Sequence, residues 1–236
     1  MKKILGVIGG MGPEASAFFY DEVIAHTRAG SDQEHIDMII LSHASMPDRT
    51  KAILTGHEAD LLDAMRRDLK IMETAGAANI AIPCNTSHYF YDRIQSMTRI
   101  PIINMVRETV KEAAATYSRD GEKPCVGIMA TDGTVRTGVY EKELKEAGCS
   151  VVLPTPARQA DIMSVIYDDI KGGRKPDRDK FESAYRELKE AGCDCVLLAC
   201  TELSVYTRYY PAADDCIDAM EVLIRESVIR SGADYI

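Results

Sequence analysis

Two cysteines, Cys84 and Cys200, occupy matching places in a unit of sequence that occurs twice in the chain. Each follows a short apolar run that an Ala-Gly pair precedes, and small polar residues come directly after it. This pattern places a thiol at the carboxyl end of a buried strand, where main-chain N–H groups and a helix dipole favour the thiolate. Two thiols presented across a shared cleft have the chemistry to remove a proton from one face of a carbon and return one to the other.

A second interpretation stays open for each cysteine alone, because a free cysteine commonly serves as a small buried hydrophobe. The matched positions of Cys84 and Cys200 favour reactivity over packing. An odd total of 7 cysteines without zinc-site spacing indicates reduced thiols, as in the cytoplasm. The remaining five lack the same context and are predicted to pack before or inside strands: Cys125, Cys149, Cys193, Cys195 and Cys216.

The composition is that of an ordinary globular protein, with 46% hydrophobic and 28% charged residues among 236. A net charge of −9 offers nucleic acid no basic surface. No apolar run approaches the ~18 residues that a membrane helix needs. The apolar stretch after Lys3 is too short and too rich in glycine for a signal peptide, so we interpret it as the first strand. We therefore expect a cytoplasmic protein with neither nucleic acid nor a membrane as a partner.

Short β-rich runs alternate with longer amphipathic stretches, a pattern typical of parallel sheets covered by helices on both faces. The predicted strands are 3–8, 38–42, 79–83, 102–104, 125–130, 150–153, 195–199 and 216–218. The predicted helices are 13–29, 57–75, 87–96, 106–118, 135–147, 159–171, 177–191 and 220–230. Within 57–75, apolar residues at steps of three and four predict one buried face, formed by Leu61, Leu62, Met65, Leu69 and Met72.

The repeat predicts the fold class: two pseudo-symmetric α/β domains with mostly parallel sheets and an active site in the cleft between them. Besides the cysteine segments, residues 5–9 match residues 126–130, and each half has a further apolar run downstream of its cysteine. The first domain is expected to comprise residues 1–104 and 217–236, and the second residues 105–216. By the same repeat, the last helix is expected to return to the first domain.

The segments around the two cysteines, together with three further motifs, resemble the aspartate/glutamate racemase family, and aspartate racemases in particular. The resemblance runs the length of the chain, and the motifs stand in the order of the family. They are Gly9-Gly10-Met11-Gly12-Pro13-Glu14, Pro47-Asp48-Arg49-Thr50, Cys84-Asn85-Thr86-Ser87-His88, Ile166-Tyr167-Asp168-Asp169-Ile170-Lys171-Gly172-Gly173 and Cys200-Thr201-Glu202-Leu203-Ser204.

The resemblance implies a cofactor-independent racemase, with no metal, that interconverts L- and D-aspartate or glutamate. Cys84 and Cys200 would be the catalytic residues, one taking the α-hydrogen as thiolate while the other protonates the opposite face as thiol. Inverting a stereocentre without pyridoxal phosphate needs an acid and a base on opposite sides, whose roles exchange with the hand of the substrate. The family also tends to dimerise, so the expected partners are a small acidic amino acid and a second copy of the chain.

The family pattern further assigns contacts with the α-carboxylate and the amine of the substrate. Asn85, Thr86 and Thr201 would supply polar side chains and main-chain N–H groups to them. Met11, in the glycine-rich turn before Pro13, would offer its main chain near the ligand. That turn lacks the spacing of a dinucleotide-binding loop, so its glycines are expected to permit a tight turn and the close approach of a small ligand.

Two cations would hold the side-chain carboxylate of the substrate, since the family pattern places Arg49 and Lys171 there. A solvated surface charge is the alternative for each of them. Tyr167 lies one helical turn before Lys171 and either assists it or packs half-buried.

Glu202 and His88 follow the cysteines closely. Glu202 would orient or deprotonate Cys200; in the related glutamate racemases a histidine occupies the comparable place. His88, four residues after Cys84, either tunes that thiol or caps and packs locally. The remaining histidines that we considered, at 26, 35 and 57, are predicted to be surface residues.

Two other functions remain open at this stage. A different reaction of the same superfamily on a small dicarboxylate, as in maleate isomerases or malonate decarboxylases, would keep one or both cysteines; a hydantoin racemase would not use Arg49 and Lys171. A protein that only binds an acidic amino acid would keep the cations but have no use for two thiols.

Overall fold

The computed structural model describes residues 2–236 and confirms the predicted α/β class with parallel sheets: the strands of its two sheets all pair in parallel. The chain divides into two compact units. The first comprises residues up to Met105 together with Leu223–Ile236, and the second comprises Val106–Val222. Within residues 2–236, no helix is both long enough and apolar enough to cross a membrane.

The first unit is built on a sheet of β1 (Leu5–Gly9), β2 (Met38–Ser42) and β3 (Asn79–Ala81), in the order β2-β1-β3. The central strand β1 is buried along its whole length, which explains its continuous apolar sequence. The helices are α1 (Pro13–Ala25), α2 (Arg49–Thr55), α3 (Ala59–Thr74) and α4 (Tyr91–Gln95), with 3-10 turns at Asp32–Glu34 and Asn85–Phe90.

Helix α3 packs its apolar side into the core of this unit, as its spacing predicts. A Cβ at Gly6 would lie 2.9 Å from the Met72 sulfur, so the bare main chain of β1 lets the helix approach. The same side of α3 also carries Asp68, which is only 3% exposed and which the hydrophobic pattern does not explain. Of the five predicted core residues, Leu62 is half-buried. The other four are fully buried: Leu61, Met65, Leu69 and Met72.

Three elements of the first unit differ from expectation. Residues 102–104 form an isolated parallel bridge between Ile80 and Ile102 rather than a strand. The predicted helix at 87–96 is a 3-10 turn followed by the short α4. Helix α2 was not predicted; the Asp48 side chain caps it by accepting from the Lys51 N–H at 2.7 Å, and Gly56 ends it with a φ of 72°.

The second unit repeats the topology of the first and adds one strand. Its sheet contains β4 (Cys125–Ala130), β5 (Ser150–Val152), β6 (Cys195–Ala199) and β7 (Cys216–Asp218), in the order β5-β4-β6-β7. The order β5-β4-β6 matches β2-β1-β3, and β7 stands where the first unit has the Ile102 bridge. The helices are α5 (Met105–Tyr117), α6 (Asp132–Thr137), α7 (Val139–Glu146), α8 (Pro156–Met163), α9 (Arg178–Glu190) and α10 (Thr201–Tyr206).

The predicted helix at 159–171 changes its winding partway. After α8 the chain continues as a π-helix over Ser164–Ile170, and the Lys171 N–H bonds to the Ile166 carbonyl, five residues back, at 3.0 Å. Insertions of this kind are rare and frequently occur at functional sites. The π-helix sets the direction from which Tyr167 and Lys171 leave the main chain.

The last helix, α11 (Ala219–Arg230), begins in the second unit and ends in the first. At its carboxyl end the Ser231 carbonyl accepts from the Lys3 N–H at 2.9 Å. Our expected division assigned residues 217–236 to the first domain. Strand β7 instead pairs with β6, from Val196 with Cys216 to Leu198 with Asp218, so the second unit extends to Val222.

Candidate active site

The first group of candidate residues surrounds Cys84, the third residue after the end of β3. The residue has an extended main chain (φ −160°, ψ 105°) and immediately precedes the 3-10 turn Asn85–Phe90. The Ser87 N–H closes this turn onto the Cys84 carbonyl at 3.2 Å. Cys84, Asn85 and Thr86 are 6%, 3% and 6% exposed, and Cys84 belongs to the same apolar cluster as Met11. The thiol is thus largely removed from water. The strand ends at Ala81 and not at residue 83 as predicted, so Cys84 lies shortly beyond the strand.

The glycine-rich turn after β1 packs against the Cys84 segment. The Ser87 hydroxyl lies 3.4 Å from the Met11 sulfur, and Met11 is 2% exposed. Gly10 has a φ of +85°, and a Cβ there would lie 2.4 Å from the His43 nitrogen. Only glycine therefore lets this turn lie against the segment after β2. The Ser16 hydroxyl fixes the turn by accepting from the Gly10 N–H at 2.7 Å.

Arg49, the first residue of α2, is 7% exposed, which excludes a solvated surface charge. Its Nη1 donates to the carbonyls of Pro47 at 2.9 Å and Met46 at 3.3 Å, and its Nη2 donates to the Met11 carbonyl at 3.3 Å. The guanidinium is therefore held beside the Met11 turn by main-chain acceptors.

His88 bonds to the main chain on two sides. Its Nδ1 lies 3.0 Å from the Cys84 carbonyl, and the Met105 N–H donates to its Nε2 at 3.2 Å. A proton on Nδ1 satisfies both bonds, whereas the 3.4 Å approach of Nε2 to the Ile103 carbonyl would need the other tautomer. Burial lowers the His88 pKa below its usual value, so the ring is neutral at physiological pH. The structure thus favours local capping over tuning of the thiol.

The second group surrounds Cys200, directly after β6 and before α10. Cys200 and Glu202 are 5% and 3% exposed, and the thiol donates to Glu202 Oε2 at 3.0 Å. The Thr201 hydroxyl reaches the same oxygen at 3.3 Å. Burial and the Glu202 charge raise the Cys200 pKa well above its usual value, and Lys171 opposes them. In this arrangement Cys200 is a protonated thiol whose hydrogen Glu202 holds.

Lys171 completes the second group. Its Nζ lies 3.4 Å from Glu202 Oε1 and 4.9 Å from the centre of the Tyr167 ring. The Lys171 side chain is 24% exposed and pairs with Glu202, so it is not a freely solvated charge. Tyr167 is half-buried, as its packing alternative expects, and its ring lies beside the Lys171 ammonium. The structure thus joins Cys200, Thr201, Glu202 and Lys171 in one set of contacts, with Tyr167 assisting as a cation–π partner.

One pair of titratable residues near the first group escaped the sequence analysis. His43, after β2, places Nδ1 at 2.8 and 3.0 Å from the two carboxylate oxygens of Asp68 on α3. The available signal was the position of Asp68, three residues after Met65 and four before Met72, on the apolar face of its helix. A carboxylate at such a position needs a buried partner. Across residues 2–236, no cluster of three or more His, Cys, Asp or Glu side chains is arranged to hold a metal ion.

Comparison with known proteins agrees with these motifs. The family model described as Asp/Glu/Hydantoin racemase matches residues 8–226. The broad specificity amino-acid racemase RacX of Bacillus subtilis (strain 168) is 25% identical over 95% of this chain and 96% of its own length.

Two solved structures extend the comparison. The aspartate racemase of Picrophilus torridus is similar with a TM-score of 0.85 and 27% identity, covering 99% of this chain and 96% of that one. An aspartate racemase homologue from Pyrococcus horikoshii OT3 has a TM-score of 0.76 at 23% identity, covering 98% and 99% of the two chains, and shows the same fold.

Proposed function

Because this chain belongs to the Asp/Glu/hydantoin racemase family, we propose that it interconverts L- and D-aspartate by a two-base thiol mechanism. As a member of that family the protein is a racemase, hence an isomerase. The observation that carries the aspartate proposal is that each unit has a buried cysteine after the corresponding strand and a cation among the neighbouring segments. The cation is Arg49 in the first unit and Lys171 in the second. Glutamate, longer by one methylene, is the nearest alternative substrate.

In the proposed reaction one cysteine, as thiolate, removes the α-hydrogen and becomes a thiol. The electron pair passes into the α-carboxylate to give a planar intermediate, and the other cysteine gives its proton to the opposite face and becomes a thiolate. Each turnover therefore leaves the two thiols with exchanged protonation states. The bond from the Cys200 thiol to Glu202 supports Cys200 as the residue that starts protonated. Cys84 would then be the thiolate that starts the reaction.

The same proposal assigns the remaining contacts. Arg49 and Lys171 bind the side-chain carboxylate, Arg49 through the fork of its guanidinium. The α-carboxylate and the amine bind the polar groups that follow the cysteines, namely Asn85, Thr86 and Thr201, together with the main chain at Met11. Burial of Arg49, Asn85, Thr86 and Thr201 supports the assignment, since exclusion of water strengthens each contact with a charged substrate.

The proposal is tested by incubating the purified protein with L-aspartate, and separately with L-glutamate, while circular dichroism follows optical activity. We expect the signal of aspartate to decay to zero. Cys84→Ser and Cys200→Ser are each expected to slow the decay by roughly 10²–10⁴-fold, the range typical of a lost acid–base group. Cys149→Ser, at a buried thiol outside both groups, is the matched control. Full activity in either active-site variant would contradict the two-base mechanism.

A broader substrate range is the second candidate, favoured by the similarity to the broad specificity racemase over nearly the whole chain. The same assay with alanine, arginine and asparagine distinguishes the two, and maleate added to the panel tests the dicarboxylate isomerase alternative. Turnover of asparagine at a rate comparable to aspartate would show that Arg49 and Lys171 do not select a second carboxylate.

A further inference from the structure

The pair of His43 and Asp68 stands out because its carboxylate is buried on an otherwise apolar face. Asp68 is 3% exposed, and its neighbours on that side of α3 are core residues. A buried carboxylate is costly unless a partner compensates it. His43 provides that partner, with Nδ1 within 2.8 and 3.0 Å of the two oxygens. Hydrogen bonding of the buried carboxylate alone would account for the pair, but it would not account for where His43 lies.

His43 is the junction between the sheet and the segment that carries Arg49. Its N–H donates to the Gly9 carbonyl at 3.1 Å, which extends the pairing of β1 with β2 by one residue. Its carbonyl accepts from the Met46 N–H at 3.1 Å, which turns the chain toward α2. Gly10 presses its main chain against that of His43. The His43 side chain is 22% exposed, against 4% for Asp68, so the imidazole reaches from the core to the surface of the unit.

The segment from His43 to Arg49 is held by its own hydrogen bonds at the end that carries Arg49. The Met46 and Pro47 carbonyls accept from the Arg49 guanidinium, and the Asp48 side chain caps α2. The segment is therefore a short rigid unit with Arg49 at one end and His43 at the other. The imidazole of His43 is its side-chain anchor to α3, and the guanidinium of Arg49 is its link to the Met11 turn through the Met11 carbonyl.

We propose that the Asp68–His43 pair is a positioning device for substrate binding: it holds residues 43–49 so that the Arg49 guanidinium is set for the side-chain carboxylate. The inference rests on the proposed function, because it takes Arg49 as the residue that binds that carboxylate. His43 and Asp68 act through Arg49 and do not themselves exchange protons with the substrate. Without the anchor, the segment samples several positions, and apparent affinity falls in proportion to the fraction that is competent.

The test is steady-state racemisation of aspartate by variants of the full-length protein. His43→Ala is expected to raise KM about tenfold, corresponding to a competent fraction of about one tenth, with kcat changed by less than about twofold. His43→Asn keeps an N–H donor near the position of Nδ1 and is expected to return KM to within about threefold of the original value. Asp68→Asn keeps an acceptor oxygen without the charge and is expected to raise KM by an intermediate factor, which serves if His43→Ala does not fold.

Two controls and a double variant separate this inference from a structural role. His57→Ala changes an exposed histidine before α3, and Asp63→Asn changes an exposed carboxylate on α3, the helix of Asp68. Both variants are expected to leave KM unchanged. In an Arg49→Lys background, His43→Ala is expected to raise KM by less than about twofold, because the group being positioned has been replaced.

The possible failures are distinguishable. An unchanged KM in His43→Ala, with only a lower melting temperature, would overturn the inference while the proposed function stands. The same holds if His43→Ala raises KM equally in the Arg49→Lys background. Absence of aspartate and glutamate turnover by the unsubstituted protein would overturn the proposed function and this inference with it.

Discussion

At the scale of single residues, the two cysteines have different surroundings although their main chains are alike. Both have extended main-chain dihedral angles. Each follows the strand at the same position of its sheet and precedes a short helical segment. Cys200 has a carboxylate within hydrogen-bonding distance and a lysine behind it. The corresponding position after Cys84 carries Thr86, a neutral residue. The repeat therefore fixes the place of each thiol, while Glu202 and Lys171 act on the pKa of Cys200 in opposite directions.

The charges beside Cys200 predict how its reactivity depends on pH. Glu202→Gln removes a negative charge that raises the Cys200 pKa, so alkylation by iodoacetamide should reach half its limiting rate at a lower pH. Lys171→Met removes the opposing positive charge, so the pH at which alkylation reaches half its limiting rate, its midpoint, should rise. Peptide mapping by mass spectrometry across a pH series measures both midpoints at Cys200.

Glu190→Gln, an exposed carboxylate at the end of α9, is the control and should not move the midpoint. A shift in the same direction for Glu202→Gln and Lys171→Met would show that burial alone, and not these two charges, governs the thiol.

At the scale of elements, the two cations lie at a short helix and at the end of a π-helix. Arg49 begins α2, a short helix, and Lys171 directly follows the π-helix Ser164–Ile170. Regular strands were predictable because period and apolar content are local: β2, β4, β6 and β7 begin and end where the sequence places them. Helix α2 has no apolar stripe to reveal it, and a π insertion leaves no mark in a hydrophobic pattern. The signals for α2 were Asp48 as a cap and Gly56 as a stop.

The cap of α2 yields a prediction for this element. Asp48→Ala removes the acceptor of the Lys51 N–H and is expected to lower the free energy of unfolding by about 1 kcal/mol, the usual cost of losing a side-chain cap. Chemical denaturation followed by circular dichroism measures the change.

Asp60→Ala, at an exposed acidic residue in the first turn of α3, is the comparison and is expected to cost less. If the two variants lose equal stability, general helix electrostatics and not the Asp48 hydrogen bond would be responsible.

At the scale of the whole molecule, the internal repeat made the fold readable from sequence. The two sheets share the order β2-β1-β3 and β5-β4-β6, and each candidate cysteine follows the third strand of its set. The pairing of His43 with Asp68 was not readable, because the two are 25 residues apart and nothing local links them. The end of the second unit was misplaced for a related reason: β7 and the Ile102 bridge look alike in sequence, but only β7 pairs as a strand.

We propose that the protein is a cytoplasmic homodimer, as the family resemblance suggests. Light scattering of the purified protein is expected to give twice the 26.0 kDa mass of the chain, and a mass of one chain would contradict the proposal.

The central claim, that two different thiols serve the two faces of the substrate, is tested most directly by the isotope in the first product. Protiated L-aspartate is incubated with the enzyme in deuterium oxide, the reaction is stopped at a few per cent conversion, and the enantiomers are separated and weighed by mass spectrometry. A thiol that exchanges with solvent delivers deuterium, so nearly all the D-aspartate should carry α-deuterium while the remaining L-aspartate is still protiated. D-Aspartate that keeps the original α-protium in a large fraction of molecules would mean that one group both removes and returns the proton, and would contradict the account.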